Sequence, residues 1–361
     1  MTDFVAGFFA PWIAYALITL LHVVLPARRV VGYVVDPRTG KPWEYSLNGP
    51  LVLVLTVLVW ALIGRFGLLP WDWLYTHRWS GLAGSCAAGL VFSFAIVLPA
   101  KSTGRTFLAD FFFGRAENQQ FFNGRVDGKM VLYLIGAVML ALNVLSFAAH
   151  HVITFGRSAS PGVFLYSALF LWFIVDYLVF ENVHLYTYDI FAERIGFKLG
   201  WGCLTFYPYF YAVGLWFAAE LPNPGAPGWL LAVYAVVFFA GWILSRGANM
   251  QKFTFKIDPR RALLGIIKPQ ALGNGTQQLL CSGFWGVARH INYLGEILMA
   301  VGLTLALGWP VLWTAWLYPL YYVGLLLPRE RDDERRCAKK YGLLWTEYTK
   351  KVPRRIIPGI Y

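Results

Sequence analysis

The sequence predicts an all-α fold, a polytopic membrane bundle of nine to ten transmembrane helices. Of its 361 residues, 58% are hydrophobic and only 14% are charged. In soluble proteins about a quarter of the residues are charged. A chain with so few charged residues needs an apolar solvent such as lipid around it. Lipid cannot satisfy backbone amide and carbonyl groups, so every long apolar run must be a helix. The period-two alternation of a membrane β-barrel is absent.

The apolar runs follow one another along the chain. The first, 4–26, is long enough to cross a bilayer. We interpret it as a span and not as a signal peptide, because it has neither a basic leader nor a small-residue cleavage site. The later runs centre on 51–63, 81–100, 130–149, 163–180, 199–219, 229–245, 293–309 and 311–327.

The segment 278–291 is the uncertain one. It is apolar enough for a re-entrant or tenth helix, but Arg289 and His290 would make a lipid-facing span costly.

Loops after odd-numbered runs are rich in Lys and Arg, while loops after even-numbered runs have almost no basic residues. Since basic loops stay in the cytosol, this predicts an outside N-terminus, an odd number of crossings and a cytosolic C-terminus.

No linker, internal repeat or low-complexity tract divides the chain. We therefore expect a single integral membrane domain over 1–361, with a cytosol-facing cofactor-binding portion at 245–361. An endoplasmic reticulum or a bacterial inner membrane would suit it. The formal charge of +12 favours anionic partners, such as lipid head groups or phosphorylated cofactors.

Several common chemistries are disfavoured. The six histidines do not cluster with carboxylates, so no metal site is predicted. The four cysteines lie far apart and form no CxxC pair, so neither a zinc ribbon nor a disulfide framework is predicted. The segment 273–278 has two glycines but lacks the third glycine and the strand context of a dinucleotide-binding fingerprint, so a Rossmann domain is not predicted. A transporter would show broken spans in matched halves, and no such symmetry is visible.

Polar and aromatic residues accumulate in three segments of the final third. In the first, 249–259, Lys252 and Lys256 are four residues apart, so they share a helix face and can both reach one anionic group. Anchoring of basic residues at the cytosolic end of a helix explains this pair equally well.

The second segment, 279–296, combines glycines with groups for stacking and hydrogen bonding, a mixture that is costly on a lipid-facing helix. These groups are Trp285, Arg289, His290, Asn292 and Tyr293. In the third segment, 329–361, Arg329 and Asp333 share a helix face, and Trp345 with Tyr348 could close over a flat ligand. A salt-bridged helix in solvent is the alternative for the third segment.

Taken together, these segments resemble the sterol reductase family, which includes Δ14-sterol reductase, 7-dehydrocholesterol reductase and the reductase-like half of the lamin B receptor. The family run SG(F/W)WGxxRHxNYxGD is matched by 282–296, RDExxCxxKYG by 332–342, and the closing VPxRxxPxIY by 352–361. The similarity extends upstream to GYVVDPRTGKPWEYSLNG at 32–49.

The resemblance implies a ten-helix membrane enzyme that uses NADPH to saturate a carbon–carbon double bond of a sterol. It also implies a cytosol-facing cofactor pocket among the later helices. Lys256 replaces a family arginine, which keeps the charge but loses the bidentate fork. The candidate cofactor-binding residues are Lys252, Lys256, Trp285, Arg289, His290, Asn292, Tyr293, Arg329, Asp333 and Tyr348.

An unactivated alkene cannot accept hydride directly, so a positioned acid must protonate it first. At the end of the fifth apolar run, Tyr177 and Glu181 lie one turn apart with Asp176 nearby, and all three would be expensive in lipid. We therefore expect Tyr177 to be the proton donor or relay, supported by Glu181 and Asp176. An interfacial tyrosine beside charges at the cytosolic helix end is the alternative.

The cofactor half resembles the family more closely than the substrate half does. Ala116 stands where the family has a glutamate, Ala192 where it has a histidine, and Cys203 where it has an aspartate. The reduced bond is therefore left open: Δ14 or Δ7 is expected first, and a side-chain bond is possible. The expected partners are a sterol substrate and membrane lipid, without nucleic acid.

Two other functions stay open at the level of sequence. Membrane methyltransferases of the isoprenylcysteine and phospholipid type have a similar basic, aromatic C-terminal pattern, and they bind S-adenosylmethionine. A non-catalytic sterol-binding membrane scaffold is the third possibility.

Overall fold

Helices dominate the structure, a computed structural model that describes residues 2–37, 39–275 and 277–361. All nine apolar runs form helical structure. In the described residues, five helices are long and apolar enough to cross a membrane, and two shorter helices are also apolar. The predicted all-α, polytopic membrane fold is therefore confirmed.

The helices differ widely in length. They are α1 (Thr2–Val24), α2 (Gly49–Arg65), α3 (Trp73–Thr76), α4 (Arg78–Val97), α5 (Phe107–Phe113), α6 (Gly128–Phe155), α7 (Pro161–Val179), α8 (Glu181–His184), α9 (Tyr188–Phe191), α10 (Phe197–Trp201), α11 (Val213–Ala218), α12 (Gly228–Ile257), α13 (Phe284–Val287), α14 (Ile291–Ala306), α15 (Trp313–Tyr341) and α16 (Leu343–Lys351).

Short antiparallel strand pairs connect some of the helices. They are β1 (Arg28–Val35) with β2 (Pro42–Leu47), β3 (Gln120–Phe121) with β4 (Val126–Asp127), and β5 (Ala271–Asn274) with β6 (Gln277–Leu280). The chain divides into two compact units, of which the first ends at Pro224 and the second is Gly225–Tyr361. The single-domain organisation stays a prediction.

The sixth apolar run, 199–219, is broken where the sequence suggests one continuous span. A π-helical stretch, Gly202–Phe210, separates α10 from α11. Pro208 lies inside the stretch and has no backbone N–H to donate to a helical bond. The hydroxyl of Tyr15, on α1, donates to the carbonyl of Leu204 within the stretch. The π-helical stretch is therefore tied to α1.

The segment 278–291 is not a tenth span. Its first residues belong to β6, and the four-residue α13 follows before α14 begins at Ile291. The backbone N–H groups of Arg289 and His290 donate to the carbonyls of Arg354 and Arg355, at 3.0 and 2.7 Å. These polar groups are thus satisfied by the C-terminal segment, which a helix crossing lipid could not reach.

In the first unit, α6 is the central helix. Along its apolar window 89% of the residues are buried, compared with 22% for α1. Where α1 meets α4, a Cβ at Gly84 would lie 1.8 Å from the carbonyl oxygen of Phe8. The indole of Trp12 donates to the Gly84 carbonyl at 2.9 Å. Small residues therefore allow the helix backbones to approach closely, as is usual in membrane bundles.

In the second unit, α12 and α14 are joined by a seam of glycines. A Cβ at Gly295 would lie 2.4 Å from the backbone nitrogen of Ser245, and one at Gly302 would lie 2.7 Å from that of Phe238. Gly241 faces the same seam from α12, where its Cβ would meet the Gly295 carbonyl at 2.7 Å. The seam sets the separation of the two helices.

We expect Gly295→Val to destabilise the protein, because its side chain would force α14 away from α12. Overpacking of this kind costs about 1–3 kcal/mol. The melting temperature in detergent should fall by several degrees. Gly324→Val is the matched control, since among the described residues no heavy atom outside its own stretch of helix lies within 4 Å of a Cβ at that position. Equal melting temperatures for the two variants would contradict the role of the seam.

Candidate active site

The first candidate residue, Tyr177, lies in the last turn of α7 and is hydrogen-bonded to a histidine. Helix α7 ends at Val179 and α8 begins at Glu181, and His184, which follows Tyr177 by seven residues, lies against it. The Tyr177 hydroxyl oxygen lies 2.6 Å from Nε2 of His184. The rings are in edge contact, with centroids 4.6 Å apart. The structure therefore pairs the expected proton donor with a second titratable group.

Glu181 is hydrogen-bonded to the start of α2. Its Oε2 accepts a hydrogen bond from the backbone N–H of Gly49 at 3.1 Å, at the N-terminus of α2. The residue is only 6% exposed. Burial raises the pKa of Glu181 to about 7, although the Gly49 bond and the charge of Arg28 act in the opposite direction. The hydrogen bond of Glu181 therefore holds the start of α2. The third candidate, Asp176, is partly buried and lies one residue before Tyr177.

Further polar and aromatic groups surround the pair in the first unit. The ring of Tyr133, on α6, contacts both the Tyr177 ring and the His184 ring, at centroid distances of 6.2 and 4.9 Å. The groups that interact electrostatically with the Tyr177 hydroxyl are Glu181, Asp189, Cys203 and Tyr207. The end of α7 is therefore a polar cluster inside a largely apolar unit.

In the second unit, the structure brings together three of the predicted cofactor-binding residues. Nζ of Lys252 lies 5.5 Å from the ring centroid of Trp285, within the range of a cation–π interaction. The Trp285 indole donates to the carbonyl of Ala248 at 2.8 Å. The Tyr348 hydroxyl donates to the Trp285 carbonyl at 3.3 Å. The tryptophan is thus held by both α12 and α16.

Helix α15 adds charges to this group. Arg329 and Asp333 lie one turn apart on it, and Cys337 follows one turn later. The charges of Asp333 and Lys252 both act on the Cys337 thiol, and burial raises the pKa of that thiol to about 12. Lys252 of α12 and Asp333 of α15 are therefore both close enough to influence the same partly buried sulfur. Lys256 is partly buried one turn beyond Lys252.

Arg289 is buried and internally bonded. Its Nε donates to Oε1 of Glu334 at 2.6 Å, and its Nη1 donates to the carbonyls of Val352 and Pro353, at 2.7 and 3.0 Å. Burial alone would raise the pKa of Glu334, but the His290 ring, whose Nε2 lies 3.7 Å from Oε1 of Glu334, and the hydrogen bond from Arg289 outweigh it and lower that pKa. The geometry makes Arg289 a cross-link between α15 and the C-terminal segment.

The remaining predicted residues lie around the start of α14. The ring of His290 stacks on that of Tyr293 with centroids 5.0 Å apart. Nδ2 of Asn292 donates to Oδ1 of Asn249 at 3.4 Å. The other amide atom of Asn292, Oδ1, is buried, and no donor to it is found among the described residues. An acceptor of this kind suits a ligand that brings its own N–H or O–H group.

Three possible metal ligands also meet in the second unit, although no metal site was predicted. The ligand atoms of His290, Glu330 and Glu334 lie within 4.8 Å of one another. Arginines already accompany both carboxylates: Arg289 bonds Glu334, and Nη1 of Arg355 lies 3.5 Å from Oε1 of Glu330. These guanidinium groups supply the countercharge that a divalent cation would otherwise bring. We therefore treat the cluster as a salt-bridge network.

Comparison with known proteins shows the family. Residues 5–361 match the ergosterol biosynthesis ERG4/ERG24 family. The chain belongs to this family.

Individual relatives cover nearly all of the chain. It is 33% identical to the Delta(14)-sterol reductase of Arabidopsis thaliana, over 94% of this chain and 91% of that protein. It is 34% identical to the Delta(14)-sterol reductase TM7SF2 of Mus musculus, over 98% and 86%. It is 31% identical to the Delta(14)-sterol reductase of Methylotuvimicrobium alcaliphilum, over 99% and 83%. The sequence resemblance to sterol reductases is confirmed.

Sequence reasoning missed two residues of the candidate site. The sequence analysis gives His184 no role, although it follows Tyr177 by two helical turns and Glu181 by one. Glu334 belongs to a motif already quoted for the family, but its pairing with Arg289 joins residues 45 positions apart. The first could have been found from its spacing. The second depends on how α14 and α15 meet.

Glu181→Gln should change the pH dependence of stability. The folded-state pKa of about 7 lies above the usual glutamate value of 4.5, so the folded protein holds this proton to a higher pH than the unfolded chain does. The unfolding free energy is therefore highest below about pH 4.5 and falls as the pH rises to about 7. By this linkage the loss is at most about 3 kcal/mol.

Glutamine removes this loss, so the stability of the variant relative to wild type should rise between pH 4.5 and 7 and be level above pH 7. The measurement is the melting temperature in detergent across this range. Glu347→Gln, at an exposed position, should show a constant difference from wild type. A constant difference for Glu181→Gln as well would show that this carboxyl does not titrate as described.

Proposed function

We propose that this chain is a membrane sterol reductase that uses NADPH to reduce a carbon–carbon double bond of a sterol, with Δ14 as the preferred bond. The observation that carries the proposal is the match to proteins named Delta(14)-sterol reductase over 94 to 99% of the chain. The choice of Δ14 over Δ7 or a side-chain bond rests on those names. The membrane location fits the apolar helices of the structure.

The second unit has the groups that a phosphorylated nicotinamide nucleotide requires. Lys252 and Lys256 on α12, and Arg329 on α15, are cations suited to phosphate groups. Trp285 offers an aromatic surface that the Ala248 and Tyr348 bonds hold in place. Arg289 would contribute to the nucleotide site indirectly, because its hydrogen bonds hold the C-terminal segment in place.

A hydrogen-bond acceptor complements these charges. The buried Oδ1 of Asn292 suits an amide or hydroxyl donor of the nucleotide. When bound, NADPH supplies the hydride of the reduction. The basic residues would also distinguish NADPH from NADH, because the additional 2′-phosphate gains charge-assisted hydrogen bonds.

The first unit would hold the proton donor. The Tyr177 hydroxyl is the group suited to protonate the alkene, and it lies in the polar cluster at the end of α7. Protonation places positive charge on the sterol carbon that then accepts hydride. Glu181 and Asp176 support the site by their position and charge, Glu181 through its bond to α2. We further propose that the C-terminus faces the cytosol, in agreement with the loop charges.

The test is an assay of the purified full-length protein in detergent or in membranes. It is incubated with NADPH or NADH and with sterols unsaturated at Δ14, Δ7 or the side chain, and the products are analysed by mass spectrometry. We expect hydrogen uptake by the Δ14 sterol with NADPH. Activity with another sterol alone would change the assignment of the bond. Absence of reduction with tighter binding of S-adenosylmethionine than of NADPH would favour a methyltransferase.

Two substitutions should separate cofactor binding from proton transfer. Arg329→Ala should raise the KM for NADPH about tenfold or more with a smaller effect on kcat, because it removes a charge-assisted bond. Tyr177→Phe should lower kcat by about 10²- to 10⁴-fold with little change in that KM. Arg335→Ala, at an exposed position on the same helix as Arg329, is the control. Unchanged kinetics in either variant would remove that residue from its role.

A further inference from the structure

We propose that His184 is a positioning and proton-relay residue, which orients the Tyr177 hydroxyl and returns a proton to it after Tyr177 has protonated the sterol. This inference rests on the proposed function and adds a residue that none of the motifs quoted for the family includes. It is argued from the hydrogen bonds of His184, from the direction of each donor and from the groups around the pair.

Two hydrogen-bonding contacts hold the His184 ring, one at each nitrogen. Nε2 lies 2.6 Å from the Tyr177 hydroxyl oxygen, and Nδ1 lies 3.4 Å from the hydroxyl oxygen of Thr187. The ring is also packed edge-on against Tyr133. A histidine oriented in this way by neighbours on both sides is prepared to exchange a proton with one of them.

The Thr187 contact determines the tautomer of the ring. The Thr187 hydroxyl donates its single proton to the backbone carbonyl of His184 at 2.7 Å. Toward Nδ1 it can therefore only present a lone pair, so Nδ1 carries a hydrogen. In a neutral ring Nε2 is then unprotonated, and the Tyr177 hydroxyl donates to it. The phenolic proton of this form is directed at the histidine and away from any substrate.

Protonation of His184 reverses the bond to Tyr177. In the imidazolium form Nε2–H donates to the phenolic oxygen, so the phenolic proton becomes available to a substrate. When this proton moves to the alkene, the O–H bond of Tyr177 breaks and a C–H bond forms on the sterol. The Nε2 proton then moves to the phenolate, which restores neutral Tyr177 beside neutral His184.

The electron balance is completed by the nicotinamide of the proposed function, whose hydride neutralises the sterol cation. Solvent then returns a proton to His184. The imidazolium is thus the active form before each turnover. Because only the protonated imidazole is active, activity should fall as the pH rises through the titration of His184. The titratable groups around the pair are Tyr133, whose ring contacts His184, and Glu181, Asp189, Cys203 and Tyr207, which act on the Tyr177 hydroxyl.

The decisive variant is His184→Gln, because a glutamine amide can still donate a hydrogen bond to Tyr177 but cannot supply a proton to a phenolate. We expect kcat for sterol reduction to fall by about 10- to 100-fold, at the lower end of general-acid effects, with unchanged KM values for sterol and NADPH. The fall of activity with rising pH should disappear. In Tyr177→Phe, adding His184→Gln should cause no further loss, since the two groups act in one relay.

A second variant keeps the histidine and alters its tautomer. Thr187→Val removes the acceptor from Nδ1, so kcat should fall by a smaller factor and the pH profile should shift while KM is retained. This variant tests the relay if His184→Gln fails to fold. His77→Gln is the matched control. His77 precedes α4, and its Nδ1 is hydrogen-bonded to the carbonyl of Trp73 in α3, so this variant should leave the rate and its pH profile unchanged.

The outcomes separate the relay from the proposed function. If the wild-type enzyme reduces a sterol while His184→Gln keeps its kcat and pH profile, the relay is wrong and the function stands. A raised KM or a lowered melting temperature with unchanged kcat would make His184 a packing residue, which also overturns the relay. If the wild-type enzyme reduces none of the sterols tested, both the function and the relay are wrong.

Discussion

The structure depends on one constraint: polar groups in a chain this apolar must find their partners inside the protein. An unpaired polar group in an apolar environment costs several kcal/mol. The carbonyl of Leu204, within the π-helical stretch, accepts a hydrogen bond from Tyr15 of α1. The buried guanidinium of Arg289 is satisfied by Glu334 and by carbonyls of the C-terminal segment. The same requirement places His184 beside Tyr177.

This constraint also explains where polar groups gather in each of the two units. The first unit surrounds the apolar α6 and keeps its reactive groups in one cluster at the end of α7. The second unit carries cations and aromatic rings on α12, α13, α15 and α16. The proposed function assigns the proton donor to the first unit and the nucleotide to the second.

Most of the fold could be predicted from the sequence, because membrane helices follow from local hydrophobicity. Each predicted run forms helical structure, and α12 extends through Lys252 and Lys256 as their spacing suggested. The candidate site was accessible only in part. Trp285, Asn292 and Tyr348 come from contiguous motifs, which a sequence displays directly. The role of Arg289 as a cross-link was not visible, since its acceptors lie 45 to 64 residues away.

The sequence by itself therefore determined the membrane bundle, the order of its helices and the basic, aromatic character of its final third. These properties depend on hydrophobicity, charge and spacing within single segments. Only the tertiary structure decided that 278–291 forms a strand and a short helix, that Glu181 bonds to Gly49, and that His184 is the partner of Tyr177. The partner of a polar group depends on which distant segment meets it, and that is settled when the helices pack.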